Sequence, residues 1–416
     1  MHTQEKQRVI KAINELGRKV SVADVATKTG LPLVVATSQL NEVAADTNGH
    51  LQVSTAGDIA YRFDFGFQNA YLAKGIQRFL QNFADGLFRA GFFLVRISFG
   101  IMLILSLVVL AVVFFILLQT LSRGRDRDND GFGFDFNFNF FDYLILRDLL
   151  WWNYSYSNYQ GGRRQSAPQG NFLYNCFSFL FGDGNPNVGL MEERWQLIAK
   201  MIRENGGVVT ADQLAPYTDA DPANEDGVLP VLVRFDGRPE VTDTGNIVYL
   251  FPSLQVSAGK NEDSKVPIIL REVRWAFSNV PAGGLTLVVL LAAINFLGSW
   301  WLFIQAIRMP FLLSLTPLLL ILVIYGSLFV LVPFGRWLAI GYLNGRIDSR
   351  NKRRQELAMR MKNAEGDLAK KLSEANQFKT KVKQIDSSDV VYTTDKDLLE
   401  QEIDAEVAKK NGLTKS

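Results

Sequence analysis

LTLVVLLAAINFLGSWWLFI (285–304) and FLLSLTPLLLILVIYGSLFVLV (311–332) stand back to back, and Ile307, Arg308, Met309 and Pro310 mark the break between them. Each run reaches the roughly 20 residues that a helix needs to cross about 30 Å of hydrocarbon, and neither carries a formal charge. The pair predicts a transmembrane hairpin over 284–334. Working outward, 92–121 is a third apolar run, broken only by Arg96 near its start, from where a long side chain reaches the interface.

The rest of the 416 residues is much more polar, although the whole chain is 48% hydrophobic and 21% charged, so soluble modules are attached to the spans. Cys176 is the only cysteine and His2 and His50 the only histidines, which excludes a disulfide framework and a zinc or iron–sulfur site made by this chain alone. No cofactor is expected. The polar start of the chain has no apolar core of a cleavable signal, so insertion is expected to rest on the internal spans. Charge is segregated: residues 191–252 carry five basic and eleven acidic residues, whereas 336–384 carry thirteen basic and five acidic. The two parts are suited to attract each other or partners of opposite sign.

The segment 1–64 has a module pattern. Val9, Ile10, Ile13 and Leu16 keep helical spacing up to Gly17. Ser21 and Asp24 form an S-x-x-D capping box before a second helix that Gly30 closes, and Leu31-Pro32 opens a third. Two alternating stretches, 51–54 and 59–63, then make a hairpin around Gly57. The pattern returns in 191–253. Gly17, Ser21, Val25 and Ala26 match Gly206, Thr210, Leu214 and Ala215 at an offset of 189. Gly49, Gly57, Tyr61 and Phe63 match Gly237, Gly245, Tyr249 and Phe251 at an offset of 188. Three helices and a hairpin, repeated, predict two winged-helix-like α+β modules. From Thr29 to His50 there is no lysine or arginine, while Glu42 and Asp46 are present, and the second copy carries Asp219, Asp221, Glu225 and Asp226 there. Phosphate would be repelled, which points away from DNA and toward a protein-binding or architectural role.

Between the modules and spans the pattern is weaker. Residues 65–91 read as an amphipathic helix on the membrane surface, and 254–283 as a linker with a similar helix. In the aromatic linker 122–190, five phenylalanines from Phe132 to Phe140 alternate with polar residues, and 144–152 and 172–181 are apolar helices too short to span. Asp126, Asp128 and Asp130 open a calcium-loop pattern, but position twelve is Asn137 where a glutamate is expected, and a polar turn is the favoured reading.

Behind the hairpin, Arg346, Arg350, Lys352, Arg353 and Arg354 form a basic cluster that predicts a cytoplasmic or stromal C-terminus and contact with membrane lipids. Leu357, Met361, Ala364, Leu368, Ala375, Phe378, Val382 and Ile385 keep a/d spacing, which predicts a basic coiled coil over 335–385, paired in trans as self-association or packed in cis. An acidic tail with a short helix, capped by Thr394, fills 386–416. Three spans would place the two modules on opposite sides of the membrane, unless the first apolar stretch re-enters or a segment in 132–182 also crosses.

No nucleophile elbow, P-loop, dinucleotide fingerprint or paired-histidine motif is present, so the chain is not expected to be an enzyme. Apart from Arg96 the spans hold only weak polar groups such as Asn295, which suits a hydrogen bond between helices better than an ion path. Four runs, FFDYLILRDLLWW (140–152), FSFLFGDGNPN (177–187), LPVLVRFDGRPEV (229–241) and GNIVYLFPS (245–253), resemble a poorly characterised family of integral membrane proteins of cyanobacteria and plastids. The likeness covers 140–345 best. Some of its members carry an iron–sulfur cluster biosynthesis label, for which Cys176 alone does not supply the ligands. The resemblance implies a thylakoid or plasma membrane in a photosynthetic cell. The expected protein is a multi-domain α-helical membrane protein, with about three transmembrane helices, serving as an adaptor or assembly factor for subunits of a membrane protein complex. A membrane-tethered DNA-binding regulator and a small-solute transporter component are the alternatives.

Overall fold

A computed structural model describes residues 2–67, 76–123, 172–223, 227–259, 266–386, 389–395, 397 and 400. Asp126, Asp128 and Asp130, the phenylalanine alternation, the apolar stretch 144–152 and most of the acidic tail lie outside them. From the N-terminus run helix α1 (His2–Glu15), strand β1 (Lys19–Ser21), helices α2 (Val22–Thr29) and α3 (Leu33–Thr47), and strands β2 (His50–Ser54) and β3 (Ile59–Arg62). Two apolar helices follow, α4 (Ile76–Arg123) and the short α5 (Phe172–Phe181). The first order then repeats as α6 (Leu190–Glu204), β4 (Val208–Val209), α7 (Ala211–Thr218), α8 (Leu229–Phe235), β5 (Arg238–Val241) and β6 (Ile247–Leu250). Strand β7 (Val256–Ser257), helices α9 (Ala282–Arg308), α10 (Thr316–Lys362) and α11 (Gly366–Gln377), and strands β8 (Lys383–Gln384) and β9 (Val390–Thr393) complete the chain.

These elements form two compact units, one drawn from Met1–Ile76, Asn187–Glu272 and Asp348–Ser416, the other from Gln77–Pro186 and Val273–Ile347. In the first unit the two repeats share a register. Val20 and Leu51 flank Tyr61 in one sheet, ordered β1-β3-β2, and Val209 and Pro239 flank Tyr249 in the other, ordered β4-β6-β5. Capping is repeated too: Ser21 with Asp24 starts α2, and Thr210 with Gln213 starts α7, each a reciprocal capping box. Asn48 and Asp236, both in the left-handed region, end the third helix of each copy. The next residue is glycine in both for a steric reason. A Cβ on Gly49 would lie 2.8 Å from the Phe63 ring, and one on Gly237 would lie 2.3 Å from the Phe251 ring.

The two repeats do not have separate cores. Val9, Val25, Leu40 and Phe63 of the first belong to one apolar cluster with Ile198, Leu214, Phe235 and Phe251 of the second. The modules therefore share a compartment, which overturns their expected placement across the membrane from each other. Sharing the core lets each small module bury area that neither could bury alone.

The second unit is built of apolar helices. Three helices are long and apolar enough to cross a membrane, over Gly91–Thr120, Ala282–Arg308 and Leu312–Lys362, and only 39%, 28% and 28% of their most apolar windows are buried within the protein. Such outward apolar faces suit hydrocarbon rather than water. Leu103 and Leu107 of α4 pack with Cys176 of α5, Val288 of α9 and Phe329 of α10, while Leu110 and Leu117 meet Leu302 and Leu312 further along. Asn295 donates through Nδ2 to Ser106 Oγ at 2.9 Å, joining α9 to α4. The Arg96 guanidinium lies over the rings of Phe92, Tyr174 and Phe177.

Helix α5 packs on α4: Phe177 meets Phe92 at 6.0 Å and Phe181 meets Phe99 at 4.9 Å, at the start of the α4 apolar run. We expect Gly237→Ala, which overpacks the Phe251 ring, to destabilise the first unit by about 1–3 kcal/mol in thermal unfolding of the solubilised chain.

Candidate interaction site

The site begins at a buried carboxylate. Asp24, 4% exposed, is already the partner in the α2 capping box, and it also accepts from Arg203 Nη1 at 3.0 Å, the Ser257 hydroxyl at 2.8 Å and the N–H groups of Ala258 and Gly259. One side chain thus joins the first module, helix α6 of the second and the segment beyond β7. Burial alone would raise its pKa, but the Arg203 charge and the N–H groups of Ala258 and Ser21 outweigh it and hold the carboxyl below its ordinary value. Nearby, Arg234 of α8 lies over the Trp195 ring at 4.4 Å and donates twice to the Gly30 carbonyl, at 2.8 and 2.6 Å. Gly30 is required there: its φ is 72°, and a Cβ would come within 3.0 Å of the Glu192 carbonyl oxygen and Trp195 Cβ.

A second charge cluster centres on Arg354, 1% exposed, which the sequence assigns to lipid contact. Its Nε and Nη2 engage the Asp219 carboxylate, Nη2 also donates to Glu272 at 2.7 Å, and Nη1 donates to the Leu270 carbonyl. Arg350 pairs with the other side of Glu272, and Arg194 with Asp219 at 2.8 Å. Hydrogen bonding from Arg350 is the main reason the Glu272 carboxyl stays below its ordinary range; burial opposes it, and the Arg354 charge adds to it. Arg354 is thus removed from the expected lipid cluster, because Asp219 of the acidic module and the buried Glu272 claim it, and Arg350 is engaged by Glu272. Arg346, Lys352 and Arg353 remain on the surface, Arg346 with its guanidinium 5.9 Å from the Tyr342 ring.

The heptad residues are divided in the same way. Leu357 and Met361 lie on α10, which ends at Lys362; Ala364 lies in the break; Leu368 and Ala375 lie on α11; Phe378, Val382 and Ile385 lie beyond it. No single helix carries four heptads, which corrects the coiled coil expected over 335–385. The residues pack within the chain instead: Ala375 and Phe378 against Val208 and Val248, and Ile385 against Ala60 and Ala258.

The C-terminal segment forms a strap across both repeats. Glu374 of α11 accepts from Thr242, Thr244 and Asn246 in the turn between β5 and β6. Hydrogen bonds from Asn246, then Thr244 and Thr242, push its pKa down to about 2. Lys371 pairs with Asp212 at 3.1 Å. Further on, β8 pairs in parallel with β7, and β9 adds to the free edge of β2. The attraction expected between the acidic module and the basic tail is used here, inside one unit. The strap is absent from the sequence reading, although Val390, Val391, Tyr392 and Thr393 are a strand signal in what reads as a helical tail.

Exposed apolar side chains remain on α8. Leu229 is 60% and Val233 76% exposed, while Val231 and Phe235 of the same helix are fully buried. On α3, Glu42 and Asp46 face inward charge, each 2.6 Å from Lys6 Nζ. Among the described residues no three His, Cys, Asp or Glu side chains are grouped to hold a metal ion.

The chain is thus a mostly helical protein with, among the described residues, three helices long and apolar enough to span a membrane and a strapped pair of repeated α+β modules. It is 36% identical, over 96% of its own length and 80% of the relative's, to an uncharacterised chloroplastic protein of Arabidopsis thaliana. It belongs to the family of that plastid protein. No protein-family model and no solved structure matches it.

Arg354→Ala, which leaves Asp219 to Arg194 and Glu272 to Arg350 but removes the hydrogen bonds that join them, is expected to cost about 1.5–3 kcal/mol, measured by denaturant unfolding. The pH dependence has a definite sign. Asp24 and Glu272 have folded-state values below their ordinary 3.8 and 4.5, so their contribution is complete above those values and is lost as pH falls through the lower folded ones. We expect Asp24→Asn to unfold more easily at pH 7 and to show a weaker loss between pH 5 and 2 on the order of one titrating group.

Proposed function

We propose that this protein is a membrane-anchored adaptor or assembly factor for a membrane protein complex in a photosynthetic membrane, the thylakoid being the first candidate. The two repeats are read as winged helices, since helix, strand, two helices and two strands in the sheet order β1-β3-β2 recur as β4-β6-β5. The single observation that carries the reading is the exposed apolar pair Leu229 and Val233 on α8, in the second module's third-helix position. Aliphatic side chains at that depth of exposure suit a protein surface and give nothing to a phosphate backbone. The remaining surface cations Arg346, Lys352 and Arg353, close behind the last apolar helix, favour a stromal or cytoplasmic face for the modules. The chloroplastic relative agrees with a plastid location.

Mild-detergent affinity purification of the tagged chain from its own membranes tests this. Subunits or assembly intermediates of a membrane complex are expected with the wild type, and at least about tenfold less of them with Leu229→Asp/Val233→Asp, an effect of the size of one interface hot spot. Recovery of the protein only as a self-oligomer, or equal recovery with the double variant, contradicts the reading.

A further inference from the structure

The two sheets of the first unit end differently. Leu51 of β2 and Pro239 of β5 hold the same place, each beside the central tyrosine of its sheet, Tyr61 or Tyr249. Leu51 turns its backbone outward: its N–H donates to the Thr394 hydroxyl at 2.9 Å, and its carbonyl accepts from the Thr394 N–H at 3.0 Å. Proline has no N–H to offer there, so β5 is closed to a further strand at the position where β2 is open to one. Strand β5 is the last of its sheet, with Val241 64% exposed, whereas β9 covers β2.

The seat on β2 has three subsites along an extended chain. Val390 enters an apolar corner with Ala60, Ala258 and Ile385. Thr394, four residues on, makes the paired contact with Leu51. Asp395 then lies 3.4 Å from both Arg62 and His50. Between these points the side chains of β9 give little: Val391 is 64% and Tyr392 41% exposed, and the ladder is carried by backbone groups that any extended sequence can supply. The strap does not need β9 to stay in place. Ahead of it, Ile385 is buried and its carbonyl accepts from Lys19 Nζ, Lys383 pairs with Asp58, and β8 is seated on β7.

We propose that the outer edge of β2 is a strand-docking site, which β9 fills as a resident strand and yields to an extended segment of another protein. The segment it fits carries a β-branched anchor, a threonine or serine at the fourth residue after it and an acid at the fifth. Recognition is by β-strand addition, so affinity comes from the backbone ladder and selection from the three subsites. The edge lies on a different element from Leu229 and Val233 and does not depend on that surface. Because β9 is tethered, an incoming strand meets an empty edge only for the fraction of time that β9 is off, and its apparent affinity falls by that fraction.

The test titrates the peptide DVVYTTD (389–395), labelled with fluorescein at its N-terminus, into the detergent-solubilised full chain and reads anisotropy. Tyr392→Pro in the chain, which removes an N–H that alternation turns toward β2 and leaves β2 untouched, is expected to tighten binding of the peptide at least about tenfold over the wild type. The same peptide carrying Tyr392→Pro is expected not to bind. Gln52→Cys/Thr393→Cys joins two residues that face each other across the ladder, and this chain is expected to lose binding when oxidised and regain it on reduction. Binding no tighter to a folded Tyr392→Pro chain, or equal binding by the oxidised and reduced double variant, overturns the proposal; thermal unfolding of each variant reports on its fold. Hydrogen exchange of the wild type needs no variant. The N–H groups of Leu51 and Thr55, which donate to Thr394 and Asp389, are expected to exchange at least about tenfold faster than that of Gln52, which alternation turns toward β3. Equal protection of the three overturns the proposal as well.

Discussion

The Asp24 carboxylate is the constraint on which the first unit depends. It caps its own helix, holds Arg203 from the second module and accepts the N–H groups of Ala258 and Gly259. A buried carboxylate with this many donors costs little to keep charged, but the donors come from three separate parts of the chain: Ser21, Arg203 and 257–259. Satisfying it therefore fixes the position of the modules against each other. The shared apolar core follows from that placement, and so does the route of the segment after β6, which carries β7 to the point where β8 can join it.

The features legible in the sequence were those written within a few residues of each other. The Ser21–Asp24 capping box, the left-handed helix end at Gly30, the hairpin around Gly57 and the repeat offsets all depend on neighbours, and the structure reproduces them. Arg354 is the opposite case. A basic run reads as a solvated face, and the acids that bury it, Asp219 and Glu272, lie far away in sequence. The heptad spacing misled for a local reason that was visible: Asn363-Ala-Glu-Gly366 breaks the helix between α10 and α11, with Gly366 at φ 60°. The candidate site was the least legible part. Leu229 and Val233 look like any apolar pair on a short helix until the burial of Val231 and Phe235 shows which face is left over.

In the second unit the polar groups are few and each has a place. Asn295 finds Ser106, Trp300 finds Ser327 and the Tyr325 hydroxyl finds the Phe99 carbonyl, so three hydrogen bonds tie α4, α9 and α10 where the hydrophobic effect gives little direction. Close approach at Gly326, whose absent Cβ would meet Ser299 and the Phe296 backbone, lets α9 and α10 run side by side.

The strap that ends in β9 has a consequence for biogenesis. Strand β2 is among the first segments made, and its edge partner Val390–Thr393 among the last of the described chain. Between them the ribosome must deliver every apolar helix. The first unit thus stays open at that edge, as a splayed intermediate, for as long as translation and helix insertion take, at a rate of roughly 5–20 residues per second. Closure of the sheet by β9 comes after the described apolar helices already exist, so the finished first unit is a late product of synthesis rather than its starting scaffold.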